Sequence, residues 1–250
     1  MNMLAVISPS HEQLYREFFL KNLPADATVL EKHLQTSGKG DYLANDWQTG
    51  VTTKLRFALE HLDNSEPDST FVLSDIDILF YPSLSMTELQ RELDERKCDI
   101  LFQAESANPD WLEVNTGFYI ARNTPFVRGI LTKALELCER SGTKNDQTAM
   151  NSILDPADYN AKWGLLPIRY YARSQCFPPP RDIVLHHANC THSVAQKCSQ
   201  LRRVEKYNHH PLGRCILVIQ EMWGYAIDGR LLGLIRRRLM PGARSGPGPG

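Results

Sequence analysis

Two carboxylates two residues apart, Asp75-Ile76-Asp77, follow one serine after an apolar run, Phe71-Val72-Leu73. The run reads as a buried central strand that delivers both acids at its end. At strand period the two side chains point the same way. Like charges so placed repel, and both stay ionised only beside a cation or several hydrogen-bond donors. A divalent ion meets that need, and oxygen ligands suit Mg²⁺ or Mn²⁺. The carboxyl ends of strands are also where α/β sheets gather ligands. The plainer reading is an acidic turn that ends a strand, and the pair alone does not decide between them.

Other residues could extend such a site. Lys54 flanks the apolar stripe of the helix before that strand and either reaches a phosphate or is solvated. Gly117 permits close approach of backbone to a ligand. Asp146 opens a short helix, where an N-cap is the simple role and a chemical one is compatible with it. His186 and His187 alternate on a late strand, so one faces each side. Glu105 and Glu113 lie nearby in sequence. Trp111 either stacks on a ring or packs in a core.

These residues need a scaffold, and the hydrophobic pattern supplies one. Strands are expected over 3–7, 29–33, 71–73, 99–103, 117–121, 165–171 and 183–187. Helices are expected over 11–21, 49–62, 85–97, 124–140, 145–154 and 194–207. The firmest is 49–62, where Val51, Leu55, Ala58, Leu59 and Leu62 form one stripe. Ser85 with Glu88 reads as a capping box, and Thr124-Pro125 as a helix start. Strands alternating with helices argue for a mostly parallel α/β sheet. Residues 38–41 and the proline run 177–180 read as loops.

Composition bounds the rest. With 42% hydrophobic and 23% charged residues over 250 positions, the chain is globular rather than disordered. Its net charge of −1 gives no overall field that would favour nucleic acid. No apolar run is long enough for a membrane span, and the run near the start is too short for a signal core. Six cysteines without a CxxC pair suggest reduced thiols and a cytoplasmic setting. The last fifty residues are basic, with an Arg-rich helix candidate at 231–239 and a Gly/Pro-rich end at 241–250.

Four ordered motifs carry a resemblance: Asp75-Ile76-Asp77; Asn115-Thr116-Gly117-Phe118-Tyr119; Asp146-Gln147 with Asn151; and His187-Ala188-Asn189 followed by Lys197. Together, over roughly residues 1–200, the chain resembles the GT-A glycosyltransferases of the nucleotide-diphospho-sugar transferase type and their retaining relatives. The resemblance implies a GT-A-like, Rossmann-like sheet flanked by helices. It implies metal-dependent transfer of a sugar from a nucleotide-diphosphate donor, with UDP the commoner choice, to a hydroxyl of a glycan, lipid-linked saccharide or protein. Retention is the expected outcome. Asp77 would be the main metal ligand, Asp75 would touch metal or ribose, and His187 would complete the site and favour Mn²⁺ over Mg²⁺. Lys197 would contact the diphosphate. Asn115, Thr116 and Gly117 would line the sugar site, with Asp146 and Gln147 beneath the sugar. Ile76, Glu113, Asn189, Lys54 and, by position, Ser8 complete the expected binding set. One retaining branch carries a glycine where Asn189 stands and a shorter step to the lysine, so the match is to the broader type.

The same strand-Asp-x-Asp pattern opens haloacid-dehalogenase-type phosphatases, in which Asp75 would be nucleophile and Asp77 general acid. Those enzymes also need a later acidic pair, which is not evident. A non-catalytic module of the same fold is a further alternative. The cluster of His186, His187, Cys190, His192 and Cys198, flanked by Cys176, His209 and His210, lacks the spacing of a closed zinc site. The expected organisation is a catalytic domain over 1–207, a basic extension over 208–240 and a disordered end. The Leu- and Arg-rich 231–239 segment would either pack on the body or touch an anionic membrane surface.

Overall fold

The first strand, β1 (Asn2–Ile7), is apolar on both sides, with Met3, Leu4, Ala5 and Ile7 all buried. A strand of that kind must be covered on both faces, which places it inside a sheet. The computed structural model describes residues 1–35, 45–106, 110–141, 145–170, 183–189, 191, 193–208, 212, 215, 216, 219 and 223. The expected loops at 38–41 and 177–180, the 231–239 helix, the 241–250 end, and Cys176, Cys190, His192, His209 and His210 lie outside the described residues.

After β1 the chain forms a broken helical segment over residues 9–22, with a single α-turn, α1 (Glu12–Leu14), followed by a π-helical turn at Tyr15–Phe19. Then come β2 (Thr28–His33), α2 (Asn45–Asp63), β3 (Thr70–Ser74), β4 (Ile78–Phe80) and α3 (Met86–Arg96). Next are β5 (Ile100–Ala104), β6 (Val114–Arg122), α4 (Pro125–Ser141) and α5 (Asp146–Ile153). The described part closes with β7 (Trp163–Leu165), β8 (Leu185–His187) and α6 (Val194–Asn208).

Among the described residues, six strands form the main sheet in the order β2-β1-β3-β6-β5-β7. β1 runs parallel to β2 and β3, and β5 parallel to β7, while β6 is antiparallel to both of its neighbours. The sheet is therefore mostly parallel, as expected, with one reversed strand. Alternate side chains feed its two faces. Leu4, Phe71 and Leu73 enter one core with the α2 stripe, including Val51 and Leu55, and the α4 stripe, including Val127 and Leu131. Met3, Ile7 and Val72 enter the other, with Leu89 and Leu93 of α3 and Phe19 of the π-helical turn.

Three expectations change. The 11–21 helix is not regular. The strand expected over 165–171 is instead β7 followed by a 3₁₀ turn, Ile168–Tyr170. Leu166 still donates to the Phe102 carbonyl at 2.7 Å, but Pro167 has no N–H with which to extend a ladder. The late strand expected over 183–187 is present as β8, but its antiparallel partner β4, and so the small second sheet, lies outside the sequence reading.

Candidate active site

The acidic pair stands where the chain leaves the main sheet for the small one. Asp75 is tied to the main sheet, its N–H donating to Gly117 O at 2.6 Å. Asp77 is tied to the small sheet, its carbonyl accepting from the Ala188 N–H at 2.9 Å. The β4–β8 register pairs Ile78 with His187, which sets the imidazole beside the residue before Ile78. One ligand atom from each of Asp75, Asp77 and His187 falls within 4.8 Å of the others. His187 Nε2 is 3.3 Å from Asp77 Oδ1 and 3.9 Å from Asp75 Oδ2. His186, on the other side of β8, is fully buried, and burial pushes its pKa down to about 3.

Two lysines complete the charge balance. Lys54 of α2 reaches Asp75 Oδ1 at 3.0 Å, Asp146 Oδ2 at 2.6 Å and the Thr116 carbonyl at 3.4 Å. Burial favours its neutral amine, but Asp146 and Asp75 outweigh that and raise its pKa above the ordinary lysine value. Lys197 of α6 donates to Asp77 Oδ2. Burial likewise works against the Asp77 carboxylate, yet the Lys197 ammonium outweighs it and holds the pKa well below the usual range. Asp75 shifts the opposite way. Burial raises it and the neighbouring Asp77 adds to that, against the pull of Lys54.

Each neighbouring element is locked in a specific way. Asn145, not Asp146, caps α5, its Oδ1 accepting from Thr148 N at 2.6 Å. Asp146 is thereby free to pair with Lys54. Asn151 docks α5 on β6 by exchanging two bonds with the Val114 backbone, at 2.8 and 2.9 Å. Gln147 is half-buried on the same helix. Asn115 Oδ1 accepts from Gly117 N at 2.9 Å while its Nδ2 donates to Glu105 Oε2 at 2.7 Å. Thr116 and Ile76 are buried, and Asn189 is half-buried after β8. Glu113 is exposed, and the little burial it has, with Glu105 nearby, raises its pKa. Trp111 is 46% exposed, so the core-packing reading fails. Ser8, at the end of β1, forms a cluster with Ser10 Oγ (3.0 Å) and His11 Nδ1 (2.8 Å).

Gly117 explains how the site fits together. A Cβ there would collide with His187 Cε1 and lie 2.7 Å from Asp75 Oδ2. Only a residue without a side chain lets strand and imidazole approach so closely. Two carboxylates and an imidazole with converging donor atoms could hold a divalent metal ion. Sequence reasoning missed Gln103, which is fully buried and lies 3.0 Å from His187 Nδ1. Its signal was a primary amide inside an otherwise apolar strand, Ile100-Leu101-Phe102-Gln103-Ala104.

A mostly parallel sheet with an acidic pair at the carboxyl end of a central strand is the arrangement of a GT-A-type glycosyltransferase. The chain belongs to the nucleotide-diphospho-sugar transferase family, whose model matches residues 17–201. It is a glycosyltransferase, and the family implies a nucleotide-sugar donor and a glycan acceptor. This assignment displaces the phosphatase and non-catalytic readings. Comparison with curated protein sequences gave no match. Among solved structures it is similar to a glycosyltransferase involved in glycosylation of the major capsid of PBCV-1, with TM-score 0.58 and 13% identity over 80% of this chain and 98% of that one. It is also similar to the glycosyltransferase GlyE of Streptococcus pneumoniae TIGR4, with TM-score 0.50 and 12% identity over 74% of this chain. The match spans 53% of the GlyE chain. These likenesses concern the fold. No helix among the described residues is long and apolar enough to cross a membrane.

Proposed function

We propose that the protein transfers a sugar from a nucleotide-diphosphate donor, with UDP the first nucleotide to test, in a reaction that depends on a divalent metal. The observation that carries this is the convergence of Asp75, Asp77 and His187 within 4.8 Å at the end of β3. These three residues would hold the ion, Mn²⁺ before Mg²⁺. When bound, the ion would stabilise the charge that grows on the diphosphate as the glycosidic bond breaks.

The chain's own groups do the rest. Lys197 Nζ, now on Asp77, would turn to the diphosphate oxygens as that charge develops. Asp146, paired with Lys54, would accept from sugar hydroxyls or face positive charge on the anomeric carbon. Gln147 and Asn115 would add polar contacts to the sugar, with Thr116 and Gly117 lining its bed. Glu113 and Asn189 would lie at the margins of the same site. Ser8 would meet the nucleoside and Ile76 would pack beneath it. The acceptor would be a hydroxyl of a glycan, lipid-linked saccharide or protein, and retention is the proposed stereochemistry. The basic excess after residue 200 would strengthen contact with an anionic surface.

Calorimetry with UDP and GDP, with and without Mn²⁺, tests this. Metal-dependent binding to the wild type, lost in Asp77→Asn while the fold survives, is expected. Equal binding with and without metal, or an Asp77→Asn variant that behaves as wild type, would overturn the metal assignment.

A further inference from the structure

Gln103 is a fully buried primary amide between apolar neighbours on β5. Burying an amide is costly unless both of its ends find partners. The pairing of β5 with β6 jumps in register beside it, Phe102 facing Tyr119 but Gln103 facing Asn115. Such an irregularity re-aims a side chain out of the regular ladder. Here both amide atoms are engaged. Nε2 donates to the Tyr170 carbonyl at 2.9 Å, and Oε1 lies 3.0 Å from His187 Nδ1.

Those two contacts fix the protons. A backbone carbonyl only accepts, so the amide nitrogen has to face Tyr170 and the amide oxygen has to face the ring. The oxygen also only accepts, so Nδ1 of His187 carries a hydrogen. The ring's other nitrogen, Nε2, is the one directed at Asp75 and Asp77. Gly117 confines the ring from the β6 side, where a Cβ would strike Cε1.

We infer that Gln103 is a positioning residue that holds His187 with Nδ1 protonated, so that the lone pair of Nε2 is offered to a divalent ion between the two carboxylates. This rests on the metal reading given above. A partner on the far nitrogen of a ligating histidine sets both the ring's tautomer and its orientation, and removing it typically weakens metal binding ten- to a hundredfold. Without Gln103 the ring would be free to protonate Nε2, where Asp77 stands ready to accept, and that form cannot ligate.

The test uses the whole protein labelled with ¹⁵N-histidine. Long-range ¹H–¹⁵N spectra at about pH 8, where an ordinary imidazole is neutral, report which nitrogen bears the proton, and His187→Gln identifies the resonance. Calorimetric titration with Mn²⁺ alone supplies the second readout. The wild type should show an Nδ1-protonated ring. Gln103→Leu should lose that preference and bind Mn²⁺ roughly ten- to a hundredfold more weakly. Gln103→Glu keeps an acceptor toward Nδ1 and should recover both. An Nε2-protonated ring in the wild type overturns the inference, as does a Leu variant unchanged in tautomer and affinity. If the Leu variant fails to fold, the wild-type and Glu spectra still decide. A wild type that shows the Nδ1-protonated ring but takes up no Mn²⁺ upholds the Gln103 assignment and overturns the metal reading instead.

Discussion

Asp75 and Asp77 sit two residues apart and lean on different cations, Lys54 from α2 for the first and Lys197 from α6 for the second. The two carboxylates accordingly move apart in acidity, Asp77 down and Asp75 up. Lys197 shares Asp77 with His187, each on its own oxygen. Lys197 therefore neutralises the same carboxylate that an incoming metal ion would use.

Replacing Lys197 with Met should separate metal binding from nucleotide binding. Asp77 would lose its counter-ion, so Mn²⁺ alone should bind more tightly than to the wild type. UDP in the presence of Mn²⁺ should bind roughly ten- to a hundredfold more weakly, the loss of one charge-assisted contact. Paired calorimetric titrations check both signs. An unchanged UDP affinity would remove Lys197 from the diphosphate.

Lys54→Met leaves Asp75 and Asp146 without their shared cation. Breaking a buried ion pair from one side costs about 3–5 kcal/mol, to be read from denaturant unfolding. Asp75, already raised by burial and Asp77, should rise further once the pull of Lys54 is gone. The folded variant then binds more protons than the unfolded chain, so its stability should fall as pH rises from about 4 toward neutrality. Adding Asp146→Asn should recover part of the loss at neutral pH.

Gly117→Ala puts a methyl group where the His187 ring and the Asp75 carboxylate already stand. The strand or the ring must move, at a cost of about 1–3 kcal/mol. Mn²⁺ affinity should fall further than stability does if the ring ligates the ion as proposed. A thermal melt beside a metal titration distinguishes the two effects.

Asp26 caps α3 from a distant loop. Its carboxylate accepts from the Met86 and Thr87 N–H groups at 3.1 Å each and from Ser85 Oγ at 2.9 Å. Burial is the largest single influence and opposes this, but the donors together prevail and bring its pKa down to about 2. The side chain is exposed, so solvent screens the gain, and Asp26→Ala should cost about 1 kcal/mol. The folded pKa lies below the unfolded one. The contribution is therefore complete above about pH 4 and lost as pH falls toward 2. Unfolding curves of wild type and variant should converge in acid.

What the sequence made legible follows from range. The stripes of α2 and α4 are periodic and local, and both are buried as expected. The acidic pair and His187 were legible as chemistry because their residue types are costly to bury without a purpose. Ser85 does cap α3, accepting from Thr87 N at 3.2 Å, but the box does not close, because Glu88 turns to Arg169 instead. Asp26 does that work from sixty residues away, where no local pattern reaches. The reversal of β6 is invisible for the same reason, since an antiparallel strand buried on both faces has the same composition as a parallel one. The late strand expected over 183–187 is present as β8, but its partner β4 is three residues long, too short for any period to declare itself.

The order in which the parts are made also matters. All six strands of the main sheet have been synthesised once residue 165 leaves the ribosome, and Lys54, Asp75 and Asp146 are already among them. β8 and α6, which bring His187 and Lys197, come later. A nascent chain can thus assemble its scaffold first, holding a neutralised Asp75 beside an Asp77 that still awaits both partners. A premature stop before β8 would leave a sheet with no imidazole for the ion and no lysine on Asp77. The complete cluster of Asp75, Asp77, His187 and Lys197 forms only after translation has passed residue 197.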